Sequence, residues 1–180
     1  TPLPDSPSFV LGTSAEGRAI EAYQFGNGPR KLVLVGAIHG GYEINSAVLA
    51  ELLIAHFRTF PEQVLPNIHL WIIPLANPDG AARGRDIEAR FNADGVDLNR
   101  NWGCEWSETA ILRDEPVDPG PRPFSEPETL LLRSFFIELA PDVVIFYHSA
   151  AGGVFLGACG DSPPPVWLGE TLEESSGYPY

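Results

Sequence analysis

Three stretches of the chain are almost continuously apolar: KLVLVGAI (31–38), IHLWIIPL (68–75) and DVVIFYH (142–148). Runs of this length, rich in Val, Ile and Leu, predict strands buried on both faces. Upstream, SFVLGTSAEGRAIEAYQFG reads as two strands joined by a turn at Ser14 to Gly17, an opening hairpin. Between the first two apolar runs the period changes. Ile44, Val48, Leu52 and Ala55 recur at helical spacing and predict a helix over Glu43 to Phe60. SEPETLLLRSFFIELA (125–140) predicts a second helix, with Ser125 as N-cap, Glu128 completing a capping box and Pro127 in the first turn. PPPVWLGETLEESSG (163–177) suggests a third. From Ala76 to Pro123 no regular element stands out, and Gly, Pro, Asp and Arg abound; connections this long are commonly functional or disordered. Strands alternating with helices imply an α/β domain of three layers, a mostly parallel or mixed central sheet with helices on both faces.

Composition narrows the function. With 180 residues, 44% apolar and 19% charged, the chain is the size of one folded domain with a sizeable core. A net charge of −13 argues against nucleic acid and anionic membrane surfaces as partners. No apolar run reaches the roughly 18 residues of a membrane helix. Met is absent and the chain opens TPLPDSPSF, so a trimmed product whose signal peptide has been removed is expected. Cys104 and Cys159 permit one disulfide, with a pair of free thiols as the competing reading. Neither belongs to a CxxC-type metal motif.

The candidate chemistry gathers at strand ends. His39 and Glu43 lie where the first buried run gives way to a helix, and His148 closes the last run. Ligands of open α/β sheets bind at the carboxyl ends of strands, so the three side chains can converge. Two imidazoles and a carboxylate form the ligand set of a catalytic zinc site that keeps a fourth position open. The competing reading of each histidine is a hydrogen-bonded structural residue.

Further stretches bear on that choice: GTSAEGR (12–18), NPDG (77–80), GVDLNRNW (95–102), PFSEPET (123–129) and YHS (147–149). In this order, over nearly the whole chain, the sequence resembles the zinc metallocarboxypeptidases, the carboxypeptidase A-like peptidases, of bacterial type. The resemblance implies one zinc ion held by His39, Glu43 and His148. It implies that Asn99 and Arg100 grip the terminal carboxylate of a peptide substrate, and that Ser149 lines a substrate subsite. Arg90 matches the arginine that polarises the scissile carbonyl, with Arg83 and Arg85 close enough in sequence to compete. The chemistry suits these roles, because a guanidinium fork pairs bidentately with a carboxylate and does not lose its charge.

Two departures accompany the resemblance. The family usually separates its His and Glu by two residues; here Gly40, Gly41 and Tyr42 make three. The glycines are expected to permit the turn and to clear space for the ion. The family's general-base glutamate belongs to a C-terminal region, whereas this chain stops at SSGYPY. The expectation is therefore the N-terminal and central part of a single catalytic domain, with the remainder on a second fragment or chain. The implied activity is zinc-dependent removal of a C-terminal residue from peptides. The alternatives are a related zinc-dependent deacylase or murein-peptide amidase, or a non-catalytic zinc-binding module if the chain truly ends at Tyr180. A Cys104–Cys159 bridge over the site would suit a secreted or periplasmic setting.

Overall fold

The central sheet grows from an antiparallel hairpin. The computed structural model describes residues 8–161 and 163–180; the reading of the chain's first residues lies outside them. Strands β1 (Ser8–Thr13) and β2 (Ala19–Gly26) pair antiparallel across the expected turn. Strand β3 (Arg30–Val35) leads into helix α1 (Ile44–Thr59), then β4 (Ile68–Ile73) and a five-residue helix α2 (Pro78–Ala82). A small hairpin, β5 (Ala110–Leu112) and β6 (Glu115–Val117), precedes helix α3 (Pro127–Leu139), strand β7 (Val143–Phe146) and helix α4 (Val166–Ser176).

The main sheet has the order β1-β2-β4-β3-β7. It is parallel through β4, β3 and β7 and antiparallel between β1 and β2 and between β2 and β4, hence mixed. On one face Ala50 and Ile54 of α1 pack on Phe25, Leu34, Leu70 and Ile72. On the other, Leu132 of α3, with Phe135 and Phe136 beside it, packs on Ile20, Val33, Val35 and Ile73. The result is the three-layer α/β arrangement the sequence implies.

Several local expectations are corrected. In α1 the stripe read from the sequence faces outward in part: Val48 is 47% and Leu52 62% exposed, while Ala47, Ala50 and Ile54 are buried. The helix is apolar on most sides, so spacing alone does not choose its inner face. Ser125 is not an N-cap. Helix α3 begins after Glu126, without a side-chain cap, and Ser125 Oγ instead donates to Glu126 Oε1 and accepts from Asn101 Nδ2. The segment between Ala76 and Pro123 is also more ordered than its composition suggests, holding α2, the β5–β6 hairpin and two 3-10 turns.

Strand β3 ends sooner than its apolar run because Ala37 takes a left-handed backbone, φ 46°. This is costly for a residue with a Cβ and is paid by its surroundings. Its N–H donates to Ser46 Oγ, and that hydroxyl donates to Glu43 O. The turn that presents His39 is thereby tied to the first turn of α1.

Candidate metal centre

The three sequence-predicted ligands meet beyond the carboxyl ends of two adjacent parallel strands. His39 follows β3, His148 follows β7, and those strands pair in register at Val35 and Phe146. Glu43 ends a 3-10 turn, Gly40–Glu43, that bends the chain from His39 into α1. That extra residue relative to the usual spacing is absorbed by the turn, which places His39 Nδ1 2.9 Å from Glu43 Oε1. His148 Nδ1 lies 3.0 Å from Glu43 Oε2 and 3.3 Å from His39 Nδ1. His39 and Glu43 are buried, whereas the His148 side chain is 25% exposed. Solvent therefore reaches the centre from the His148 side.

The glycines permit the turn as expected, at Gly40, but the space they clear is taken by backbone. A Cβ on Gly40 would stand 2.6 Å from Ala89 O, and one on Gly41 only 1.9 Å from Gly84 O. They admit the backbone of the loop carrying Arg90, and Gly40 also needs its positive φ of 49°.

Asp97, fully buried, completes the centre. Its Oδ2 accepts from Arg90 Nε at 2.8 Å, its Oδ1 accepts from the Asn99 N–H, and Oδ1 lies 3.5 Å from His39 Nε2. Sequence reasoning assigns Asp97 no role. Its position immediately before LNRN was the one available signal, because its partners at 39 and 90 are set only by the fold. Arg90 is buried, with Nη1 4.0 Å from Glu43 Oε1. Arg83 is committed elsewhere, donating to Asn92 O and Ala93 O, and Arg85 is exposed.

Burial by itself would raise the Glu43 carboxyl, but hydrogen bonds from His148 and His39 outweigh it and lower it to about 2. Burial likewise opposes ionisation of Asp97, and contact with His39 and Arg90 holds it below the usual carboxylate range. Both carboxylates are thus charged at neutral pH, as metal binding requires.

The donor set fits zinc. One ligand atom from each of His39, Glu43 and His148 lies within 4.8 Å of the others. The 3.3 Å between the two Nδ1 atoms matches the edge of a tetrahedron whose Zn–N bonds are about 2.0–2.1 Å. His39 Nε2 is buried without a hydrogen-bond partner. A cation on Nδ1 would fix the proton on Nε2, facing Asp97, which is how carboxylates behind metal-bound histidines orient the ring.

Asn99 and Arg100 form the 3-10 turn directly after Asp97. With Trp102 and Trp106 they line a cavity of about 290 Å³. Arg100 donates to Asn99 O at 3.1 Å and Ile111 O at 3.3 Å. The Ser149 hydroxyl, beside His148, donates to Asn45 Oδ1. Cys104 and Cys159 are joined in a disulfide, with Cα atoms 5.5 Å apart.

A three-layer α/β fold whose mixed sheet gathers two imidazoles and a carboxylate at its strand ends defines a candidate metal centre. Residues 5–162 match the zinc carboxypeptidase family, and the chain belongs to it. It is 34% identical over 142 residues to bacteriocin BCN5 of Clostridium perfringens, covering 74% of this chain and 15% of that protein. It is 26% identical over 161 residues to carboxypeptidase B of Astacus astacus, covering 77% and 52%. The chain thus spans about half or less of the length of these curated relatives. The crystal structure of the murein-tripeptide amidase of Escherichia coli O157 superposes with a TM-score of 0.71 at 25% identity, over 98% of this chain and 74% of that one.

Proposed function

We propose that this chain supplies the metal-binding and carboxylate-binding part of a zinc-dependent exopeptidase that cleaves the C-terminal bond of a peptide. The observation that carries the proposal is the convergence of His39, Glu43 and His148 beside the buried Arg90. Zinc at this centre would polarise the scissile carbonyl and make water a nucleophile near neutral pH. Asp97 keeps the His39 ring and the Arg90 guanidinium in place. Arg90, held at Nε, keeps Nη1 near the centre, where it steadies negative charge developing on the carbonyl oxygen, an effect worth about 2.7–4 kcal/mol per donor. Asn99 and Arg100 hold the substrate's free carboxylate, and Ser149 lines the approach beside His148.

Likeness to the E. coli amidase supports a second reading, in which the peptide belongs to murein. The disulfide supports an oxidising setting outside the cytosol.

The test is zinc stoichiometry together with binding of one short peptide in two forms, free acid and C-terminal amide, and of a murein tripeptide. One zinc per chain and a marked preference for the free acid are expected, with Glu43→Gln losing the metal. Failure to take up zinc, or equal binding of acid and amide, would overturn the reading. Preference for the murein peptide would select the second form of it.

A further inference from the structure

Behind the centre lies a buried polar cluster to which the proposed chemistry gives no task. Asn92 is fully buried, and all its polar groups are engaged. Its Nδ2 donates to Glu126 Oε2 at 2.6 Å and to Glu128 Oε2 at 3.3 Å. Its Oδ1 accepts from the N–H groups of Asp94, 3.1 Å, and Val96, 2.9 Å. Its own N–H donates to Val96 O at 3.0 Å, and its carbonyl accepts from Gly95 N–H and from Arg83 Nη1.

These bonds close the turn between Arg90 and Asp97. The Asn92 side chain fixes the amide of Val96, the residue immediately before Asp97, while the Asp97 N–H is held by Asp118 O at 2.8 Å. Glu126 and Glu128 belong to the start of α3, so the loop that orients His39 and Arg90 is referenced to a helix on the far face of the sheet. An amide is the side chain this place requires. It donates two protons toward two carboxyl groups and still offers an oxygen to two backbone amides. A carboxylate of the same shape would meet Glu126 and Glu128 with like charge.

We infer that Asn92, gripped by Glu126 and Glu128, is a positioning residue for the zinc centre, acting through the backbone of Val96 on Asp97 and from there on His39 and Arg90. The inference rests on the zinc reading above. The cluster touches none of the three ligands, so its effect is on their orientation rather than on their number.

Asn92→Asp in the full chain tests it, with zinc affinity read by chelator competition and ligand geometry by the visible spectrum of the cobalt(II)-loaded protein. The expected result is a folded protein that holds zinc about tenfold more weakly, the lower end of what partners behind metal ligands are worth, with displaced cobalt bands. A merely structural role would reduce the folded fraction and leave the cobalt spectrum of the folded protein unchanged. Where Asn92→Asp does not fold, Glu126→Ala decides, since it leaves Asn92 its bond to Glu128 and must still displace the cobalt bands. Folded variants with wild-type affinity and spectrum overturn the inference alone. A wild-type chain that takes up no zinc overturns the proposed function and this inference with it.

Discussion

Replacing Gly41 by alanine should abolish tight zinc binding without touching a ligand. The added Cβ would sit 1.9 Å from Gly84 O and 3.0 Å from the Gly84 carbonyl carbon. Both are backbone atoms that cannot rotate aside. Restoring even a 3.0 Å contact requires the two segments to part by about 1.1 Å, the difference between 3.0 and 1.9. Metal–ligand distances tolerate about ±0.2 Å, and Glu43 stands only two residues beyond Gly41. A displacement several times the tolerance therefore reaches a ligand directly. Overpacking of this kind also costs about 1–3 kcal/mol, and each kcal/mol lowers Tm by about 2–4 °C in a chain of this size. The assay is bound zinc per folded chain after dialysis, with the melting curve of the metal-free protein beside it. Gly157→Ala is the control, because a Cβ there meets nothing within 4 Å and its φ is not positive. Zinc retained by Gly41→Ala at wild-type affinity, with an unchanged melt, would refute the close-approach argument.

Asp97→Asn keeps an oxygen for the Asn99 N–H but removes the charge facing Arg90 and His39; chelator competition should show zinc held roughly 10- to 100-fold more weakly. Asp97→Ala leaves the buried Arg90 guanidinium without its Asp97 partner, and urea titration should register a loss of about 3–5 kcal/mol. Arg90→Lys should keep zinc bound while losing the planar fork, so that in the whole enzyme kcat on a free-acid peptide falls about 10²–10³-fold in steady-state assays. Asp79 is buried; burial opposes its ionisation, but bonds from Glu16 N–H, Ser14 and Arg18 hold its carboxyl below the usual range. A lowered folded value means its contribution is complete above the unfolded value near about 3.9 and is lost as pH falls through the folded one. Stability measured against pH should accordingly fall less steeply on the acid side in Asp79→Asn.

What the sequence reveals depends on where each residue's partners lie. His39 and His148 are legible because each ends a buried apolar run, and strand ends are where an open sheet places its ligands. Glu43 follows because no other carboxylate lies within reach of that turn. The inner face of α1 is not legible: Val48 and Leu52 satisfy the helical period as well as Ala47, Ala50 and Ile54 do, and only the docked sheet separates them. Ser125 and Glu128 have capping-box spacing, yet Asn101 and Asn92 compete for these side chains from distant parts of the chain. Asp97 escapes notice for the same reason, since its roles depend on residues 39 and 90. The β5–β6 hairpin is hidden by its brevity, three residues a strand.

The pairing of β3 with β7 has a kinetic meaning. His39 and His148 are 109 positions apart and become neighbours only when Leu32–Val35 lies along Val143–Phe146. Loop closure over such a separation is slow compared with forming the opening hairpin or α1. Before that closure the chain offers only His39 and Glu43, a two-point site with little hold on the ion. Metal capture is therefore expected late in folding, and the appearance of cobalt absorbance during refolding would time the docking of β7.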